Sequence, residues 1–137
     1  MENDMLNVGS DEVTQYYWDH CKQEKLMIQN CNDCKRFQFP PNLSCRYCSS
    51  NCIEWKKSNG IGEIYSYSVV YRAPSVFFEK YVPYVVALIK LDEGVMIESW
   101  IIQDELSDES VISIGAKVKT SYQDFGTYKL PVFKLLN

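Results

Sequence analysis

The sequence predicts a mainly β chain in which an N-terminal helix and a cysteine-stapled ribbon precede a five-stranded barrel. Three observations lead there. Aromatic and apolar residues recur at helical spacing near the N-terminus, two Cys-x-x-Cys pairs lie ten residues apart, and β-prone runs follow from Gly60 onward.

The 137 residues are 46% hydrophobic and 23% charged, a globular composition that sets disorder aside. A chain of this size buries roughly two-thirds of its unfolded surface, so it can hold a core without disulfides. No run approaches the ~20 apolar residues of a membrane span; the longest candidate, Tyr81 to Leu91, contains Pro83 and Lys90. The acidic start Met1-Glu2-Asn3-Asp4 is unlike a secretory signal, which opens with positive charge. A cytoplasmic location is therefore expected. In that reducing compartment six cysteines point to metal binding or catalysis before disulfides.

Three zones follow: a helical segment over 1–29, a ribbon over 30–57 and a barrel domain over 58–137. In the first, Ser10 reads as an N-cap, with Asp11 and Glu12 placing negative charge in the first turn. Val13, Tyr16, Tyr17, His20, Cys21 and Glu24 then predict a helix to about Lys25. The stripe of Tyr16, Tyr17 and Trp18 is broad for a solvated helix, so one face should dock, on its own chain or on a partner. The second zone holds five of the six cysteines, is poor in aliphatic residues, and needs a staple to fold.

In the third zone, Ile61 to Ala73, Tyr84 to Leu91, Val95 to Ile102, Lys117 to Tyr122 and Val132 to Leu136 read as strands. Asp92-Glu93-Gly94 is a hairpin turn signal, and Asp104 to Ser110 an acidic connector. Five strands in a partly open Greek-key barrel are the OB-fold pattern; a small open sandwich fits the counts as well.

Cys31-Asn-Asp-Cys34 and Cys45-Arg-Tyr-Cys48 are two knuckles, each a tight turn that aims two sulfurs at one centre. Together they make a tetrahedral shell of four thiolates with Zn–S distances of about 2.3 Å. Iron takes the same ligands in a rubredoxin-like site. Four thiolates leave no open position for water, so the predicted zinc is structural. Cys52, just beyond the second pair, is a weaker fifth candidate. Cys21 has His20 as its only available base, and adjacent helical residues do not face each other. Glu98, inside a strand, is expected to point outward or pair with a lysine. No phosphate loop, serine-nucleophile motif or second histidine accompanies these residues, and no catalytic residue is assigned.

Lys35, Arg36, Arg46, Lys56 and Lys57 against Asp33 and Glu54 give the ribbon +3, which leaves -7 for the rest of a chain whose net charge is -4. Zinc with four thiolates contributes -2, so the metal-loaded ribbon carries about +1. These cations stand beside Phe37, Phe39 and Tyr47, all read as exposed, a pairing that suits phosphates and an adenine ring. Phe39, Arg46, Lys56 and Lys57 are the candidates for contacting such a ligand. The plainer alternative is a solvated knuckle charged for solubility.

The order of the motifs carries a resemblance. An aromatic helix, a four-cysteine ribbon with Phe39-Pro40-Pro41 between its knuckles, and Glu54-Trp55 come first. Gly60-x-Gly62, Tyr65-Ser66-Tyr67, Pro83-Tyr84-Val85-Val86-Ala87 and Leu91-Asp92-Glu93-Gly94 then follow. From about Tyr16 to its end the chain resembles the acyl-CoA-associated family with an N-terminal rubredoxin-like zinc ribbon and a C-terminal OB-fold. The resemblance implies a non-catalytic accessory subunit of an acyl-CoA thiolase- or acyltransferase-type complex, bridging subunits and helping to bind or channel the CoA thioester. It also admits hydratase or aldolase partners. Lys35 and Ser49 stand where the family typically has glycine, which implies left-handed backbone at non-glycine residues. Asn42 stands where it typically has arginine. A rival reading, a single-strand nucleic-acid module, draws on the same ribbon and barrel, but the third zone has more acids than cations, and the surface charge disfavours it.

Overall fold

The computed structural model describes residues 12–102, 112–126 and 128–136. The Ser10 cap, Asp11 and the Asp104 to Ser110 connector lie outside the described residues. Helix α1 spans Glu12–Lys22. It stops short of Lys25 because Glu24 takes a φ of 59°. Lys25 N–H donates to the His20 carbonyl and Glu24 N–H to the Cys21 carbonyl, both at 2.9 Å, the paired bonds of a Schellman stop. No glycine marks that stop, so the helical period overruns it.

The helix docks within its own chain. Tyr17 and Cys21 are buried, and Tyr16 stacks on Trp55 with ring centroids 4.5 Å apart. Tyr17 meets Phe39 edge-on at 5.4 Å. That contact corrects the exposed reading of two ribbon aromatics: Phe37 and Phe39 pack against the core, and of the three only Tyr47 is exposed.

Strand β1 (Met27–Cys31) is central in a three-stranded antiparallel sheet, flanked by β2 (Phe37–Gln38) and β3 (Ile53–Lys57). All five residues of β1 are buried. Ile28 belongs to the core that the ribbon shares with the barrel, while Gln29 faces the knuckle loops.

Strands β4 (Ile61–Val70), β5 (Tyr84–Leu91), β6 (Met96–Ile101), β7 (Lys117–Asp124) and β8 (Lys129–Leu135) close in the order β4-β5-β6-β8-β7. Only β6 and β8 pair in parallel, through Ile101 and Phe133. This is a closed OB-fold barrel; β7 returns to pair with β4, which removes the open sandwich. Gly62 makes that closure possible. It pairs with both Leu91 and Val118, and a Cβ there would lie 2.6 Å from the Lys90 carbonyl oxygen. The last strand starts at Lys129, not Val132. Pro131 lacks an N–H for a ladder, but β8 meets β6 only at Phe133, so the proline sits where that side of the strand is unpaired.

Candidate functional site

The two knuckles are built alike. In the first, Cys31 N–H donates to the Arg36 carbonyl and Lys35 N–H to the Cys31 carbonyl, both at 2.9 Å. In the second, Cys45 N–H donates to the Ser50 carbonyl and Ser49 N–H to the Cys45 carbonyl, both at 2.8 Å. Lys35 at φ 68° and Ser49 at φ 63° close the turns in left-handed conformations, as the resemblance implies for these positions. Cys34 and Tyr47 each point an N–H at a cysteine sulfur, 3.4 Å from Cys31 Sγ and Cys45 Sγ respectively.

The four sulfurs of Cys31, Cys34, Cys45 and Cys48 lie within 4.8 Å of one another, with two pairs at 3.6 Å. A tetrahedral shell at a Zn–S distance of about 2.3 Å requires sulfurs roughly 3.8 Å apart, so the cluster fits one ion. The Cys34 N–H holds the Cys31 thiol down to about 6. Against their backbone N–H donors, burial and the neighbouring sulfurs push the Cys34 and Cys48 thiols up. The four sulfurs titrate as one set, from which a bound metal displaces the protons. Cys52 is exposed and outside the cluster. Its N–H donates to Ser50 Oγ at 3.0 Å, and Ser50 Oγ donates to the Asp33 carboxylate, tying the second knuckle to the first.

A buried amide pair holds the loop between the knuckles. Gln38 Nε2 donates to Gln29 Oε1 at 2.7 Å, and Gln29 exchanges two 2.9 Å bonds with the Asn42 backbone. Gln38 Oε1 accepts the Arg46 N–H at 2.9 Å. Ribbon and barrel are joined by a second latch. Glu93, in the β5–β6 turn, accepts from Ser58 Oγ at 2.9 Å and Asn59 N–H at 3.0 Å, while Asp92 accepts from Asn59 Nδ2 at 2.9 Å.

Where helix, ribbon and barrel meet, a cleft of about 560 Å³ opens. Trp18 of α1 and Phe39-Pro40-Pro41 of the ribbon form one wall, and Val86, Trp100 and Pro131 of the barrel form the other. Phe77 and Phe78, in a short 3-10 turn between β4 and β5, and Phe125, between β7 and β8, close its end. Glu98 is the one charged residue in the lining among the described residues.

The chain matches the family model described as "ChsH2, C-terminal OB-fold domain" over residues 55–123 and that described as "ChsH2, rubredoxin-like zinc ribbon domain" over residues 18–51. It belongs to the ChsH2-type zinc-ribbon/OB-fold family. It is 34% identical over 115 residues to a DUF35 domain-containing scaffold protein of Methanocaldococcus jannaschii, covering 82% of this chain and 79% of that one. It is 39% identical over 79 residues to a probable enoyl-CoA hydratase alpha subunit of Thermomonospora curvata. That match covers 58% of this chain and 24% of the relative, so the chain spans about a quarter of the hydratase subunit. The solved structure of an Ltp2-ChsH2(DUF35) aldolase superposes with a TM-score of 0.82 at 30% identity, covering 94% of this chain and 98% of the matched one.

Within this ChsH2-type fold the candidate CoA residues separate. Phe39 lines the cleft. The Arg46 guanidinium donates to the Pro40 carbonyl at 2.6 Å, at the rim of the ribbon wall. Lys56 and Lys57 are exposed on β3 and line no part of the cleft. Burial pushes the Cys21 thiol up to about 12, against a smaller opposing effect of its hydrogen bond with Tyr17. The His20 ring stacks on Tyr16 and its Nδ1 lies 2.8 Å from the Tyr16 carbonyl. Glu98 points outward into the cleft and has no ion-pair partner among the described residues. Neither the Gln29–Gln38 pair nor the Glu93 latch leaves a spacing signal in the sequence. The aromatic cleft had one: Trp100 and Glu98 share the face of β6 opposite to Ile97 and Ile101. Among the described residues no helix is long and apolar enough to cross a membrane.

Proposed function

We propose that this chain is a non-catalytic accessory subunit of an acyl-CoA-processing complex, a platform on which a thiolase-, aldolase- or hydratase-type enzyme is held. Family membership carries this reading. The four clustered thiols support it, because a closed shell offers a metal no site for substrate. Cys31, Cys34, Cys45 and Cys48 are the proposed ligands of one structural zinc, whose binding energy is folding energy for a ribbon poor in aliphatic residues. Such thiols suit a reducing compartment, in keeping with a cytoplasmic location. Arg46, Lys56 and Lys57 are the ribbon cations offered to the phosphates of CoA. The thiolase-like partner rests on the motif order. A hydratase partner is favoured by the similarity to the T. curvata subunit.

Co-expression with candidate acyl-CoA thiolase, aldolase and hydratase subunits from the same genome tests the reading. A complex that co-elutes on size exclusion is expected; two independently migrating proteins would sink the proposal. A steep salt-dependent affinity for single-stranded DNA is the signature of the rival module.

A further inference from the structure

We infer that the aromatic cleft receives the neutral, apolar acyl end of a thioester, and that the phosphate-bearing end stays outside it. This deepens the acyl-CoA reading and rests on it. The cleft lies where OB-folds take ligands: on the face of their second and third strands, here β5 and β6, between the first and fourth inter-strand loops. Those loops supply Phe77, Phe78 and Phe125, and the strands supply Val86 and Trp100. Its volume of about 560 Å³ falls in the range of small-molecule sites.

The charge of the lining decides what enters. An OB-fold face that grips a nucleic acid or nucleotide combines aromatics with cations. Here the aromatics are present and no lysine or arginine is among the lining residues. Two basic groups flank the cleft from outside the lining: Lys80 lies over the rings of Phe77 and Tyr81 at 6.0 and 5.3 Å, and Arg46 donates to the Pro40 carbonyl at 2.6 Å. Glu98 instead places a carboxylate in the wall, which repels phosphates and free carboxylates and tolerates a neutral thioester. Trp100 is braced by Tyr84 at 4.4 Å and Tyr81 at 5.3 Å, so the floor is preformed.

The test uses the intact zinc-loaded chain and isothermal titration calorimetry. The N-acetylcysteamine thioester of 4-phenylbutyrate, which has no phosphate, should bind saturably. Val86→Trp fills the cleft from the outer barrel face and should abolish that binding. Free 4-phenylbutyrate should bind Glu98→Gln about fivefold tighter than wild type, while the neutral thioester binds both alike. Absence of saturable binding by the thioester, or binding unchanged in Val86→Trp, overturns the inference. So does binding of unacylated CoA that Val86→Trp abolishes. Co-elution with the partner enzyme is read separately, so a complex that forms around a cleft that binds nothing rejects this inference alone.

Discussion

At the residue scale, the left-handed turns at Lys35 and Ser49 close both knuckles without a glycine. A side chain in that region costs about 1–2 kcal/mol relative to ordinary backbone, and glycine escapes the cost. Lys35→Gly and Ser49→Gly should each raise stability by about 0.5–1 kcal/mol, read as a higher midpoint in urea with an unchanged slope. Cys34→Ser removes one of four clustered sulfurs and should drop bound zinc from about one ion per chain toward zero, as measured by elemental analysis. Cys21 behaves differently. Its thiol is fully buried and pushed up to about 12, so it stays protonated at neutral pH and needs strongly alkaline solution to ionise. Iodoacetamide at pH 8 should label exposed Cys52 in the folded chain and leave Cys21 unmodified until denaturant is added, a difference peptide mass spectrometry resolves.

At the scale of elements, the zinc knuckles and the barrel strands were legible because each rests on a short local rule. Two Cys-x-x-Cys turns announce a centre, and Asp92-Glu93-Gly94 between β-prone runs announces the β5–β6 hairpin. The boundaries that failed lacked such punctuation. Glu24 ends α1 in a conformation usually left to glycine, and Pro131 lies inside β8 although proline ordinarily bounds a strand. The couplings between elements were not legible at all. Nothing in the spacing of Glu93 and Ser58 reveals that the turn carboxylate latches the linker between ribbon and barrel. Glu93→Ala should cost about 1–2 kcal/mol and free the ribbon from the barrel, detected as faster hydrogen exchange at Asn59 and Gly60. Gly62→Ala drives a methyl group to within 2.6 Å of the Lys90 carbonyl. It should cost about 2 kcal/mol or more.

For the whole molecule, the lesson lies in one shared core. Tyr17 and Cys21 of the helix, Leu26 and Ile28 beside the ribbon, and Ile64, Ile89 and Phe133 of the barrel belong to a single buried cluster. The three zones that composition separates therefore form one platform. The aromatic helix, whose stripe offered a motive for a partner, spends it on Trp55 and Phe39. Among the described residues, the cleft between the zones and the cationic outer ribbon stand open to a partner or ligand. The most direct test of the accessory role is a reconstitution in which acyl-CoA turnover is measured for the partner enzyme alone, for this chain alone, and for the two mixed, with the chain zinc-loaded or chelator-stripped. No turnover is expected from the chain alone, and partner activity should rise only with the zinc-loaded chain. Turnover by the isolated chain, or equal partner activity with and without it, would contradict the account.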